Sequence, residues 1–338
     1  MILLAEKGLI PTPLIRMGIR SLIKKRILEE VENYQNANYM KNFIRKLEFD
    51  EIAVNTDDAN DQHYEVPSDF FVHVLGKHKK YSSCYWENAN NLDEAEANSL
   101  RITCERAEII DGMDILELGC GWGSLSLWMA EHYPNSQIIS LSNSNSQRLY
   151  IEKQCRERGL KNLKIVTKNV VEFEFNQKVD RIVSIEMFEH MRNYKKLFNK
   201  INTWLKPAGK LFVHIFSHQK YAYLFETEGD GNWMGKYFFT GGIMPNKSLL
   251  KDFMAPLELD GEWTWNGQHY QKTAEVWHNN MVENKTKIME VLKNTYGDNA
   301  KIWYHRWRIF FLACSELFGY NKGKEWDVSH YLFKKRSI

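Results

Sequence analysis

The run Ile185-Glu186-Met187-Phe188-Glu189-His190-Met191 sets two carboxylates beside an imidazole. Such a cluster can bind a cation, accept its proton and hold the resulting charge. If the chain turns helical there, Glu186 and His190 are four apart and Glu186 and Glu189 three apart, so the three share a face. The bland alternative is a helix N-terminus enriched in acids to suit the helix dipole. An alkylamine has a pKa near 10.4, so at pH 7 fewer than about one molecule in a thousand carries a free lone pair. Recovering that nucleophile from water costs roughly 4–5 kcal/mol, which a base placed beside the bound ammonium would supply.

A second cluster, Ile115-Leu116-Glu117-Leu118-Gly119-Cys120-Gly121-Trp122-Gly123, reads as a buried strand ending in a glycine turn that opens a helix. Glycines at alternate positions let the backbone approach a ligand closely. A carboxylate at the strand end repels phosphate but suits a cationic, amino-acid-bearing cofactor, and S-adenosyl-L-methionine meets that description. Cys120 reads as a small packing residue. A third segment, Ser142-Asn143-Ser144-Asn145-Ser146-Gln147, offers hydroxyls and amides for a ribose or adenine. The strand before it lacks the terminal acid that a nicotinamide site uses, which counts against a dehydrogenase.

The elements that must position these groups alternate as strand and helix from 106 to 218. Strands are expected at 114–118, 137–141, 163–167, 180–185 and 210–216, with helices at 123–132, 145–158 and 193–204. Lys206-Pro207-Ala208-Gly209 reads as a turn before the fifth strand. The fold class is therefore α/β, a Rossmann-like doubly wound sheet, in which ligands bind beyond the carboxyl ends of the strands. Residues 1–105 read as an N-terminal helical arm and cofactor-covering segment, 106–218 as the cofactor-binding core, and 219–338 as a substrate cap with the final strands. In the arm, Leu14, Ile15, Ile19, Leu22, Ile23, Ile27 and Val31 recur at helical spacing among basic residues. That pattern suits a helix packed on its own domain or one lying on a membrane surface. Asp57–Gln62 reads as a polar linker, and Tyr331-Leu332-Phe333 as an edge strand.

A formal charge of +2 implies no global pull toward nucleic acid. Five cysteines without metal-ligand spacing, and no apolar run long enough to span a bilayer, point to a cytoplasmic setting without metal or integral membrane segment. Aromatics make up 13% of the chain and many follow residue 220, where they could line an apolar pocket. Tyr64, His214, Phe239 and Trp326 are the candidate pocket residues. The expected partner is a small amine, and a homodimer is the expected assembly.

Together these residues resemble the cyclopropane-fatty-acid synthase superfamily of S-adenosylmethionine-dependent methyltransferases, and more closely its coclaurine N-methyltransferase-like branch. The resemblance spans essentially the whole chain. Its marks are His63-Tyr64-Glu65-Val66-Pro67, Tyr81-Ser82, the glycine turn, the run Asp180 to His190, Phe238-Phe239-Thr240-Gly241-Gly242 and Glu316-Leu317-Phe318-Gly319-Tyr320. It implies that Tyr81, Ser82, Ser83, Glu117, Gly119, Gly121, Asn143, Gln147, Asn169, Val170 and Ile185 hold the cofactor. It implies that Glu186, Glu189 and His190 handle an amine. Asn169 departs from the family's usual Asp, yet an amide carbonyl can still accept the adenine amino group. Lipid-cyclopropanating members hold a bicarbonate base with Cys, Glu, His and Tyr. The matching positions here read as Ser83, Glu189, His214 and His278, so that base site looks dismantled while Glu186 adds a carboxylate. Amine methylation is therefore expected over lipid cyclopropanation.

Overall fold

The computed structural model describes residues 2–54 and 66–336. The expected linker Asp57–Gln62 and the pocket candidate Tyr64 lie outside the described residues.

Strands β1 (Asp114–Leu118) and β4 (Val179–Ile185) are largely apolar and buried, as central parallel strands covered on both faces must be. β1 pairs in parallel with β4 on one side and with β2 (Gln137–Ser142) on the other. β3 (Leu163–Thr167) flanks β2, and β5 (Leu205–His218) flanks β4. The sheet is completed by β8 (Leu257–Trp265) and β9 (Trp326–Lys335) in the order β3-β2-β1-β4-β5-β9-β8. The chain leaves β1 in one direction and resumes at β4 in the other, which opens a crevice at their carboxyl ends.

Crossover helices Ser124–His132, Asn145–Arg158 and Tyr194–Trp204 lie within a residue of their expected positions. Local chemistry sets their ends. Ser144 caps the second by accepting from the Gln147 N–H, and Gly159 closes it at φ +69°.

Three expectations need correction. Tyr331-Leu332-Phe333 is not at an edge, because β9 is sandwiched antiparallel between β5 and β8. The true edge, β8, alternates apolar residues with Glu258, Asp260 and Glu262, whose charges face Lys334, Lys210 and Lys251. Lys206–Gly209 does not precede β5 but lies inside it, where the pairing jumps from Val179–Leu205 to Arg181–Lys210. After β4 the chain makes only a single 3-10 turn, Phe188–His190, so the condition for a shared helical face, a helix starting at Glu186, is not met.

The arm forms helices Ile2–Glu6, Thr12–Asn33 and Tyr39–Phe49. The second packs on the protein itself. Ile15 and Ile23 are buried, and Arg16 binds Glu275 and Glu316 at 2.7 Å each. Its outer side leaves Leu14, Met17 and Leu28 exposed. Residues beyond β5 form a two-stranded ribbon, β6 (Tyr223–Leu224) with β7 (Ile243–Met244), and helices Gln268–Glu283, Lys285–Tyr296 and Ala300–Gly319. Trp277, Trp307, Phe310 and Phe311 from these helices join Phe70, Phe71 and Phe238 in one aromatic core. No helix among the described residues is long and apolar enough to cross a membrane.

Candidate active site

The glycine turn follows directly from β1. Gly119 adopts φ +80°, and a Cβ there would stand 2.8 Å from Met187 Cγ, so only glycine leaves the groove open. The groove runs beyond the strand ends in two connected parts. Tyr81, Ser82, Glu117, Gly119, Gly121, Gln147 and Ile185 line one part, and Asn143, Asn169 and Val170 line the other. Gly119, Gly121, Gln147, Met187 and His190 belong to both.

Buried Glu117 accepts from Ser140 Oγ at 2.9 Å and from Ser126 Oγ. Burial pushes its carboxyl up to about 7, so a cationic ligand group beside it would restore the anion. Gln147 Oε1 accepts from Ser142 Oγ at 2.7 Å. Asn169 Oδ1 accepts from its own chain at Val171 N, 2.9 Å, and a carbonyl oxygen has a second lone pair for a ligand donor. Ser83 departs from the cofactor expectation. It is fully buried behind the groove, with its N–H on Glu186.

Glu186 sits at the carboxyl end of β4, and its N–H continues the ladder to His214 O at 2.8 Å. Its φ of +46° lies in the left-handed region, which costs a non-glycine residue roughly 1–2 kcal/mol. That turn aims the side chain away from the path of a helix. Oε1 accepts from Ser83 N at 2.9 Å and faces His214 Nε2 at 3.2 Å, while Oε2 accepts from Tyr270 OH at 2.6 Å. Glu186, Glu189 and His190 therefore meet at one pocket without sharing a helical face.

Glu189 contrasts with its neighbour. It is fully buried, and neither carboxyl oxygen has a hydrogen-bond partner among the described residues. Burial, then the nearby Glu186 carboxylate, pushes its pKa well above the usual range. Burial also raises Glu186, but Lys80, Tyr270 and the Ser83 N–H oppose that rise. The donors and Lys80 around Glu186 therefore favour its anion over that of Glu189. His214 is buried and held neutral by burial, Lys80 and Arg106, so it bonds Glu186 as the Nε2–H tautomer. His190 stacks on Phe239, with ring centroids 5.7 Å apart at 12°.

Phe239 lines this pocket and also an adjoining apolar cavity of about 160 Å³, with Phe216 and Tyr270 on the shared wall. His214 lies behind Glu186 instead of at the pocket surface. Trp326 is a core residue, 1% exposed, with its indole N–H on Tyr223 OH at 3.2 Å. The resemblance matched the bicarbonate-holding Cys, Glu, His and Tyr positions of the lipid-cyclopropanating members to Ser83, Glu189, His214 and His278, and read that site as dismantled. Ser83 and His214 instead hold the Glu186 carboxylate, and the tyrosine at the site is Tyr270. His278 bonds its neighbour Asn279. Sequence reasoning also missed Lys80, Trp277 and Phe310. Lys80 had a signal, since it directly precedes Tyr81-Ser82. Tyr270 and Phe310 come from distant helices and had none.

A doubly wound sheet with a glycine turn after β1, an acid at its end and a groove across the switch point defines a class I methyltransferase using S-adenosyl-L-methionine. The residues fit that cofactor: the turn leaves room for it, and Glu117, Gln147 and Asn169 offer acceptors along the groove. The chain belongs to the mycolic acid cyclopropane synthetase family, whose pattern matches residues 53–328. It is 35% identical to the (S)-coclaurine N-methyltransferase of Thalictrum flavum subsp. glaucum, over 98% of this chain and 94% of that one. Pavine N-methyltransferase of the same plant is 32% identical over 98% and 95%. The crystal structure of coclaurine N-methyltransferase bound to N-methylheliamine and S-adenosylhomocysteine superposes with a TM-score of 0.92, at 35% identity and 98% coverage of both chains. The chain is thus an S-adenosyl-L-methionine-dependent methyltransferase of the N-methylating branch.

Proposed function

We propose that the acceptor is the nitrogen of a small amine carried on an aromatic or otherwise apolar body, of the tetrahydroisoquinoline type. The observation that carries this reading is the contrast between Glu186, held by three partners, and Glu189, buried with none among the described residues. An unpaired buried carboxyl is costly unless a ligand completes it, and an ammonium does so. Glu189 and Glu186 bind the ammonium, and the carboxylate pair with His190 takes its proton before the nitrogen reacts. When bound, S-adenosyl-L-methionine supplies the electrophilic methyl group. Phe239 and Phe216 align the apolar body, which extends into the cavity beyond them. The names of similar proteins, which act on coclaurine and pavine, support an amine of this kind.

In this reading residues 1–105 cover the donor, 106–218 hold it and 219–338 shape the acceptor pocket. The setting is cytoplasmic and the near-balanced charge argues for a small-molecule partner over nucleic acid. The exposed Leu14, Met17 and Leu28 support a second copy of the chain as its assembly partner. Lipid cyclopropanation is disfavoured because the Glu186 carboxylate already occupies the Ser83 and His214 donors. Incubation with methyl-labelled donor and a panel of amines, tetrahydroisoquinolines included, tests the proposal. Label in the amine supports it; label confined to lipid acyl chains, or to none of the acceptors, refutes it.

A further inference from the structure

Lys80 is a buried lysine that the proposed methyl transfer gives no role of its own. It is 2% exposed, yet it lines the pocket that holds Glu186 and Glu189. Its ammonium donates to Ser82 Oγ at 2.6 Å and to Ser83 O at 2.5 Å. The same peptide segment turns the Ser83 N–H onto Glu186 Oε1. Lys80 therefore grips one side of a short clasp whose other side grips the carboxylate. The segment is fixed from behind as well, because Glu96 accepts from the backbone N–H groups of Gly76, His78 and Lys80. A lysine buried to this degree is retained only where its charge is compensated.

Resting on the proposed amine methylation, we propose that Lys80 is a positioning residue for methyl transfer, acting through Glu186. Its amine clamps Ser82 and Ser83 so that the Ser83 N–H stays on the carboxylate; burial lowers the Lys80 pKa, and the nearby Glu186 and Glu96 carboxylates work against that loss of charge. The opposing electrostatic effect of Lys80 is the largest of those that favour the Glu186 anion, which agrees with this geometry. A charged Lys80 also works against an ammonium in the pocket, favouring release of the substrate proton. A methionine at position 80 would fill the space but supply neither the clamp nor the charge.

The test is a thermal-unfolding cycle on the full chain, which needs no acceptor and so reads independently of the substrate assignment. Lys80→Met leaves Glu186 as an uncompensated buried charge and lowers the melting temperature by about 5 °C or more. Adding Glu186→Gln to that variant restores at least half of the loss, whereas adding Glu96→Gln does not. Additive losses, or rescue by Glu96→Gln alone, overturn the proposal. If Lys80→Met does not fold, folding of Lys80→Met/Glu186→Gln supports it, and failure of both overturns it. In turnover with a tetrahydroisoquinoline acceptor, Lys80→Met lowers kcat about tenfold or more while Lys80→Arg retains most of it. Unchanged kcat with weakened S-adenosylhomocysteine binding would show that the lysine serves only the donor segment.

Discussion

The Tyr270 hydroxyl donates to Oε2 of Glu186 at 2.6 Å across 84 positions of sequence, tying the helical cap to the end of β4. With the Ser83 N–H and His214 it leaves Glu186 a fully held carboxylate, and Glu189 is left to meet the ligand. The two acids take different parts because the donors are distributed so unevenly.

Replacing Tyr270 by Phe removes one donor from Glu186 and leaves the donor groove intact. Turnover should fall roughly 10–100-fold, in line with loss of a hydrogen bond to a charged group. Binding of S-adenosylhomocysteine, measured by calorimetry, should stay within about threefold of the parent.

Activity should decline on the acid side above the ordinary glutamate range. Burial raises both Glu186 and Glu189, and the pair must carry a negative charge to hold and deprotonate an ammonium. Protonation of Glu186 as pH falls removes that charge, so the acid limb of kcat should lie above about pH 4.3, the ordinary glutamate value. Glu186→Gln should remove most of the turnover, about 100-fold or more, while retaining the donor.

Stability should show a separate pH signature from Glu117. Its folded-state pKa of about 7 exceeds the unfolded value, so the native state binds the proton more tightly. The stabilisation is present at low pH and is lost as pH rises from about 4.3 to about 7. The effect is on the order of 3 kcal/mol without donor. Melting temperatures of Glu117→Gln across that window should flatten relative to the parent.

Trp326 belongs to the core, packed against His218 and Tyr320. Trp326→Phe should lower stability by about 1–3 kcal/mol in chemical denaturation and leave the KM for the amine unchanged. A shift in KM without loss of stability would return the residue to the pocket.

The parallel strands and their crossovers were legible because buried strands such as β1 and β4 are apolar runs and Ser144 and Gly159 punctuate a helix. β8 escaped because its edge position lets Glu258, Asp260 and Glu262 face solvent, which breaks the apolar signature. The Glu186, Glu189 and His190 cluster was visible as composition, but its geometry was not. Helical spacing assumed ordinary backbone, and the left-handed turn at Glu186 is set by the sheet and by the donors that receive its side chain. Tyr270 and Phe310 reach the site only through tertiary packing, which leaves no local trace. Aromatic enrichment pointed to a pocket, yet most of those rings, Trp326 among them, fill the core.

The central claim is that Glu189 and Glu186 receive the acceptor nitrogen beside the donor groove. A crystal structure with S-adenosylhomocysteine and a tetrahydroisoquinoline tests it most directly. The ring nitrogen should lie within about 3.2 Å of a Glu189 or Glu186 oxygen, with the apolar body against Phe239. An amine bound elsewhere, with Glu189 still lacking a ligand partner, would contradict it.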